Sequence, residues 1–214
     1  MLNLEEEQNI FSQGYNKIGA MDEAGRGPLA GPVVAACVLL ESGSAPRISD
    51  DLLLINDSKK LTAKRREKLF DIITSEFEFA IGVCDHNTID RINILQASFL
   101  AMKKAIGAIK RKPDFIILDG KLPIPNISIS QKAITGGDRL VFSVAAASIL
   151  AKVTRDRMMM EAHEAYPGYG FDKHKGYGTK FHMEQLRKFG PSPIHRKSFG
   201  PVKDALILKT KIKI

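Results

Sequence analysis

Residues 21–28 read MDEAGRGP and lie between two apolar runs, residues 18–21 and residues 33–40. The Gly/Pro-rich part predicts a turn between two strands. Two adjacent acids, Asp22 and Glu23, are costly at the end of a buried strand unless a cation neutralises them. The Gly-Arg-Gly that follows supplies a positive charge and allows the backbone to approach a phosphate closely. Acids suited to a metal ion, beside a phosphate-binding turn, predict phosphodiester chemistry.

Composition places the chain among globular proteins and is compatible with a polyanionic partner. Its 214 residues are 44% hydrophobic and 26% charged, which suits one domain with a substantial core. The net charge of +8 is compatible with nucleic-acid binding but is weak evidence alone. Cys37 and Cys84 lie in apolar runs, so we expect buried free thiols in a reducing compartment rather than disulfides. The acidic N-terminus lacks signal-peptide features, and no apolar run is long enough for a bilayer, so we expect a cytoplasmic protein without a membrane partner.

The hydrophobic pattern predicts alternating helices and strands. Thr62 is a suitable N-cap for one helix, residues 80–84 read as a strand, and residues 115–118 form an apolar strand that stops at Asp119. A long helix is expected over about residues 140–166, followed by a Gly/aromatic/Lys loop over residues 167–180 and a short amphipathic helix. The clearest helical stripe consists of Ile92, Leu95, Phe99, Met102, Ile106 and Ile109. Apolar strands that follow helices indicate the covered sheet of an α/β protein.

Four acids stand at the ends of predicted elements. Asp22 and Glu23 follow the first strand, Asp119 follows a later strand, and Asp138 precedes the long helix. Strand ends on one edge of an α/β sheet converge, and carboxylates are hard ligands that suit Mg²⁺ or Mn²⁺. Asp119 or Asp138, taken singly, is more often a turn or capping residue, whereas the adjacent pair Asp22-Glu23 is less easily explained in that way. Asp156 is a tempting fifth acid, but it lies four residues after Lys152 and we expect a helix ion pair there.

The chain resembles bacterial ribonuclease HII. Six segments match that family's motifs in the family's order between residues 18 and 199, which is nearly the whole chain. They are residues 22–33, residues 56–61, residues 118–121, residues 137–138 together with residues 145–156, residues 173–179 and residues 193–199. One such motif would be a weak signal, whereas six in order are specific.

The resemblance implies an α/β, RNase H-like fold: a mixed central β-sheet flanked by helices, with helical C-terminal elements. We expect a single catalytic domain over residues 1–214, with a core at about 17–165 and a substrate-binding loop and C-terminal helices at about 166–208. It further implies a catalytic and metal-binding quartet. Its members are Asp22, Glu23, Asp119 and Asp138.

The same resemblance assigns substrate-binding residues. Gly25, Arg26 and Gly27 match the loop that senses the ribose 2′-hydroxyl at an RNA–DNA junction, and Tyr177 matches the tyrosine placed against the sugar beyond the scissile bond. A 2′-hydroxyl distinguishes RNA from DNA and can be read by backbone groups at close range. Cations interleaved with an aromatic residue also suit a nucleic-acid strand. On these grounds phosphate-binding or strand-binding roles are expected for Lys59, His174 and Lys175.

The implied activity is endonucleolytic hydrolysis of the RNA strand of RNA/DNA hybrids, with nicking 5′ of single ribonucleotides in duplex DNA. Two-metal catalysis with Mg²⁺ or Mn²⁺ would leave 3′-hydroxyl and 5′-phosphate ends, as in ribonucleotide removal and primer clearance. We expect a monomer without an obligate protein partner. One alternative is a ribonuclease HIII-like nuclease, although the loop after Glu23 differs and only 21 residues precede Asp22. Another is a catalytically silent hybrid-binding protein. Four carboxylates leave the choice between the two metals open.

Overall fold

The computed structural model describes residues 4–43, 52, 55 and 61–211, with side chains up to residue 207. Its centre is a mixed five-stranded sheet in the order β3-β2-β1-β4-β5. The strands are β1 (Lys17–Ala24), β2 (Val33–Glu41), β3 (Glu78–Cys84), β4 (Phe115–Asp119) and β5 (Ser130–Ile134). β2 is antiparallel to both β1 and β3, whereas β4 is parallel to both β1 and β5.

Helices cover both faces of the sheet, which confirms the predicted α/β fold. They are α1 (Glu5–Ser12), α2 (Ala63–Glu76), α3 (His86–Ile92), α4 (Ile94–Ala108), α5 (Gly137–Leu140), α6 (Phe142–Ala165), α7 (Phe171–His174), α8 (Lys180–Phe189) and α9 (Gly200–Lys211), with a 3₁₀ turn at Pro167–Tyr169. Successive residues of β2 face opposite sides of the sheet. Cys37 packs in the core under α4, and Ala36 packs in the core under α2 and α6.

The register of the parallel pair sets the position of the acids. Met21 of β1 lies opposite Leu118 of β4. Asp22 and Asp119 therefore come next on two neighbouring strands that run in the same direction. They reach the same edge of the sheet, as the sequence predicted.

Several elements differ from the sequence-based expectation. The loop expected over residues 167–180 contains the 3₁₀ turn Pro167–Tyr169 and the short helix α7. The apolar stripe from Ile92 is two helices rather than one, because Asn93 adopts a positive φ of 66° and caps α4 with its side chain. β5 is a polar edge strand, and its sequence carries no strand pattern. α9 extends to Lys211, beyond the bound of about residue 208 expected for the C-terminal helices.

The two cysteines match the prediction. Cys37 and Cys84 are buried free thiols. Burial raises the pKa of the Cys37 thiol to about 12, so it is unreactive at neutral pH. Among the described helices, none combines the length and the apolarity that crossing a bilayer requires.

Candidate active site

Three of the predicted acids meet at the shared edge of β1 and β4. Asp22 is 6% exposed and its Oδ1 accepts a 2.7 Å hydrogen bond from the Glu23 N–H. Neighbouring strand residues point to opposite faces, so the Asp22 carboxylate turns toward α6, where Ser148 hydrogen-bonds to it. Glu23 faces the α4 side and lies 3.0 Å from the Arg26 guanidinium. Asp119 ends β4 beside both of them.

Asp138 reaches the same region through the turn before α5. The Gly137 N–H donates a 2.8 Å hydrogen bond to Asp119 Oδ1, which fixes this turn against the end of β4. Asp138 is the next residue, is 2% exposed, and has its carboxylate 3.7 Å from Arg139 Nε. The structure thus attaches Asp138 to the Asp119 end of the site, while the close electrostatic contacts join Asp22, Glu23 and Asp119.

The electrostatics of the acids fit a cation site. Burial raises the pKa of Asp22 well above its usual range, and the negative charges of Glu23 and Asp119 raise it further. Burial also raises the pKa of Glu23, against the opposing effect of Arg26. In the described part of the chain, no three Asp, Glu, His or Cys side chains surround one point as ready ligands. Crowded, poorly solvated carboxylates are nevertheless the donor set that hard divalent ions prefer.

The loop after Glu23 is fixed by a positive φ at Gly25 and by the hydrogen bonds of two buried arginines. Gly25 has φ +100°, and a Cβ there would lie 2.1 Å from Arg155 Nε. Arg155, which is 1% exposed, donates to the carbonyls of Pro32 at 2.9 Å and Ala30 at 3.2 Å. Arg196 donates to carbonyls of the same loop. The sequence prediction missed both arginines, because a buried arginine bound to carbonyls has no local pattern.

Tyr177 stands over the third residue of the Gly-Arg-Gly turn. A Cβ built on Gly27 would lie 3.6 Å from Tyr177 Cε1, and the tyrosine side chain is 45% exposed. The Leu29 N–H donates a 2.8 Å hydrogen bond to the Gly176 carbonyl and so joins the two loops. The two segments predicted to read the sugar are therefore adjacent, with the ring open to solvent beside the glycine.

The other predicted substrate-binding residues are placed differently. Arg26 is half exposed beside Glu23. His174 has both ring nitrogens engaged inside its own loop, with the Tyr169 carbonyl at 2.8 Å and the Gly176 N–H at 3.2 Å. Lys175 folds back so that Nζ donates to the Asp172 carbonyl. Lys59 lies outside the described residues.

A cleft of about 420 Å³ opens beside the acids on the α4 side. Glu23, Arg26 and Asp119 form its polar end, and Phe99 and Met102 of α4 form part of its apolar wall. Asp156, in contrast, pairs with Lys152 at 2.6 Å, so the predicted helix ion pair is confirmed.

Comparison with known proteins shows where this chain's likenesses lie. The sequence model of the family described as ribonuclease HII matches residues 18–202. Ribonuclease HII of Endomicrobium trichonymphae is 48% identical over 209 residues, covering 97% of this chain and 96% of that protein. The crystal structure of ribonuclease H2 from Pyrococcus horikoshii OT3 is similar with a TM-score of 0.76 at 26% identity, covering 91% of this chain and 99% of that one. Bst-RNase HIII in complex with Mn²⁺ has a TM-score of 0.68 at 21% identity, covering 92% and 71%, a likeness of fold alone.

Proposed function

The chain belongs to the ribonuclease HII family and is a ribonuclease H of type 2, and from this premise we propose its substrate and its chemistry. It hydrolyses the RNA strand of RNA/DNA hybrids and nicks duplex DNA on the 5′ side of a single embedded ribonucleotide. The products carry 3′-hydroxyl and 5′-phosphate ends. The observation that carries this proposal is the contact between two loops beside the acids, where Tyr177 stands over Gly27.

The carboxylates of the quartet are the groups that would hold divalent metal. Asp22 and Asp119 come from neighbouring parallel strands, Glu23 adjoins them, and Asp138 is attached through the Gly137 hydrogen bond to Asp119. A pair of Mg²⁺ or Mn²⁺ ions bound there would supply Lewis-acid activation of water and stabilise the leaving oxygen. The raised pKa of Asp22 supports this role. Burial and the neighbouring carboxylates disfavour its ionised form, and a bound cation would offset that cost.

The protein's own residues select the bond that is cut. The Gly25–Gly27 turn exposes backbone beside the acids, where a 2′-hydroxyl can be recognised at close range. The exposed Tyr177 ring offers a flat apolar surface to a sugar that lacks this hydroxyl. His174 is assigned to shaping the Tyr177 loop rather than to a phosphate, because both its ring nitrogens are occupied. Lys59 and Lys175 remain candidate phosphate contacts.

The decisive assay uses duplex DNA with one ribonucleotide in one strand, in Mg²⁺, in Mn²⁺ and in chelator. We expect one nick 5′ to the ribonucleotide with either metal and no nick in chelator. Asp119→Asn should abolish the nick because it removes a carboxylate ligand. Asp156→Asn is the matched control and should retain nicking, because its acid serves the helix ion pair with Lys152.

Two results would contradict the proposal. Cleavage that persists in chelator would exclude metal-dependent chemistry, and cleavage that ignores the ribonucleotide would exclude junction sensing. Tight binding without any cleavage in either metal would instead favour the catalytically silent hybrid-binding protein.

A further inference from the structure

The dipeptide His195-Arg196 lies between the two loops that form the proposed sugar-reading site. Both side chains are fully buried, at 0% exposure each. On the backbone, His195 forms an isolated antiparallel bridge with Ala30, and the Arg196 N–H donates to the Leu29 carbonyl at 2.9 Å. This segment therefore lies directly against the Gly-Arg-Gly loop, and its two side chains leave it in different directions.

The Arg196 side chain reaches the Gly-Arg-Gly loop. Its guanidinium donates to the carbonyls of Gly25 at 2.6 Å and Arg26 at 3.0 Å. It also donates to the carbonyls of Gly31 at 3.0 Å and Pro32 at 3.1 Å. One planar, multidentate donor thus fixes both ends of the loop, which a single-point lysine charge could not do in the same geometry.

The His195 side chain reaches the Tyr177 loop through a second histidine. Its Nδ1 accepts a 2.9 Å hydrogen bond from the Ser192 N–H, and its Nε2 lies 3.0 Å from His182 Nε2. His182 Nδ1 lies 2.9 Å from the Tyr177 carbonyl. This hydrogen-bonded series therefore ends at the backbone carbonyl of Tyr177, whose ring stands over Gly27.

The Ser192 hydroxyl also lies 2.7 Å from His195 Nδ1, where it can donate, so the donors and acceptors along this hydrogen-bonded series favour one arrangement of protons. Since Nδ1 of His195 accepts from an N–H, a neutral His195 carries its proton on Nε2 and donates it to His182 Nε2. His182 then carries its proton on Nδ1 and donates it to the Tyr177 carbonyl. Burial lowers the pKa of His182 and lowers that of His195 to about 3, which agrees with two neutral rings.

We propose that His195-Arg196 is the positioning element of the sugar-reading site. Arg196 sets the Gly-Arg-Gly loop, and the directed chain from His195 through His182 sets Tyr177 against it. This inference rests on the proposed function, since it assigns these buried residues to the discrimination of the ribonucleotide junction. A shift of about 1 Å in a positioning group can cost on the order of a hundredfold in rate, so two loops that read one sugar need a shared support.

A double-mutant cycle tests the coupling. His182→Phe keeps a buried ring but removes the hydrogen bond to the Tyr177 carbonyl, and Tyr177→Ala removes the ring that the bond positions. We expect His182→Phe to lower kcat/KM on the single-ribonucleotide duplex by about tenfold, with a smaller loss on a long RNA/DNA hybrid. The double variant should match Tyr177→Ala within about twofold.

Three further variants sharpen the cycle. His182→Gln can still donate to the carbonyl and should recover part of the junction cleavage. Arg196→Lys should lower the junction-to-hybrid ratio, which is kcat/KM on the single-ribonucleotide duplex divided by kcat/KM on the long hybrid. One ammonium group cannot donate to all four carbonyls in the geometry of a guanidinium. His163→Gln is the control, since His163 lies 3.3 Å from Asp172 and takes no part in the hydrogen bonds that link His195, His182 and Tyr177. It should leave the ratio unchanged.

The wild-type protein offers a test that does not depend on a variant folding. Nitrogen-15 NMR of the histidine side chains should show His182 protonated on Nδ1 and His195 on Nε2 at neutral pH. The opposite tautomers would overturn the inference. So would a double variant whose loss of kcat/KM equals the product of the losses of His182→Phe and Tyr177→Ala, because the two residues would then act independently. If wild-type protein does not nick the junction substrate, the proposed function itself fails. If it nicks while the cycle or the tautomers disagree, only the positioning role fails.

Discussion

At the scale of single residues, the ionised form of Asp22 is disfavoured in the folded protein. Burial raises its pKa well above the usual range, and the negative charges of Glu23 and Asp119 raise it further. Asp22→Asn removes the charge while keeping the shape, so in chelator we expect the variant to unfold at a higher temperature than wild type. A gain of 1 kcal/mol in a protein of this size corresponds to about 2–4 °C.

The metal dependence of the same measurement is the sharper readout. Mn²⁺ should raise the unfolding temperature of the wild type by mass action and raise that of Asp22→Asn much less. Asp156→Asn should respond to Mn²⁺ as the wild type does. An equal shift in wild type and Asp22→Asn would show that the ion binds elsewhere.

One added methyl group should affect stability at the first glycine of the turn and junction cleavage at the second. Gly25 has a positive φ and no space beside Arg155, so Gly25→Ala should displace the loop and cost about 1–3 kcal/mol of stability. At Gly27 the nearest atom is Tyr177 Cε1, at an ordinary van der Waals distance. Gly27→Ala should therefore fold like wild type and lose junction cleavage selectively. Thermal unfolding and the junction-to-hybrid ratio check both, and equal stability of the two variants would contradict the prediction.

At the scale of elements, α1 is attached to α6 by one buried acid. Glu7 is 1% exposed, and its Oε1 accepts a 2.9 Å hydrogen bond from the Ser143 N–H in the first turn of α6. Glu7 thus satisfies a helix N-terminal donor from 136 residues away in the chain. Burial raises the pKa of this carboxyl above its ordinary value of 4.5.

The sign of the pH effect follows from that direction. The folded protein binds the Glu7 proton more tightly than the unfolded chain, so stability falls as pH rises from about 4.5 through the folded-state pKa. Glu7→Gln keeps an acceptor without a charge and should abolish this part of the fall. Glu7→Ala removes the acceptor and should cost about 0.5–2 kcal/mol below pH 4.5, with a smaller loss above the folded-state pKa because the variant lacks the buried charge. Urea unfolding at several pH values checks both, and a Gln variant with the wild-type pH profile would refute the assignment.

The packing of β3 on α4 gives a matched pair of glycines. A Cβ on Gly82 would lie 1.9 Å from the Ala101 carbonyl oxygen, which belongs to helix backbone that cannot yield cheaply. Gly82→Ala should therefore destabilise the fold by about 3 kcal/mol. Gly107, within α4, has nothing within 4 Å of such a Cβ, and Gly107→Ala should gain about 0.5–1 kcal/mol. Denaturant unfolding of the two variants should shift in opposite directions, and shifts in the same direction would contradict this packing.

The elements that could be predicted from sequence are those with a local signal. Thr62 does cap α2, with its side chain accepting from the Arg65 N–H, and the apolar β4 ends at Asp119 as expected. The break at Asn93 was missed because the apolar spacing runs on across it. β5 was missed because its exposed, polar residues are ordered by pairing with β4, and sequence periodicity does not contain that partner.

At the scale of the whole molecule, the reactive groups of the site could be predicted from sequence, whereas the buried arginines that position them could not. Acids at strand ends and the Gly-Arg-Gly turn have recognisable patterns. Arg155 and Arg196 are distant from that turn in sequence, and their hydrogen bonds go to carbonyls, which every residue possesses. Only the folded chain brings the C-terminal segment against the first two strands, so the positioning of the site is a property of the complete fold.

The same whole-molecule view predicts how substrate binding depends on salt. The net charge is +8, and Lys173 and Lys180 are exposed on either side of Tyr177. A cation that contacts phosphate releases a counterion, so each contact contributes about −0.9 to the slope of log K against log salt. Lys173→Gln should reduce the magnitude of that slope by about one.

The control lies at the far edge of the sheet. Lys110 is exposed beside the start of β3, where its N–H donates to Glu78. Through β2, Glu78 aligns with Gly19 near the start of β1, whereas Asp22 lies near the end of β1. Lys110→Gln removes the same charge and should leave the slope unchanged, which separates phosphate contact from the general effect of net charge. Fluorescence anisotropy of a labelled ribonucleotide-containing duplex in chelator measures both slopes without cleavage. Equal slopes for the two variants would mean that binding depends on total charge and that Lys173 makes no direct phosphate contact.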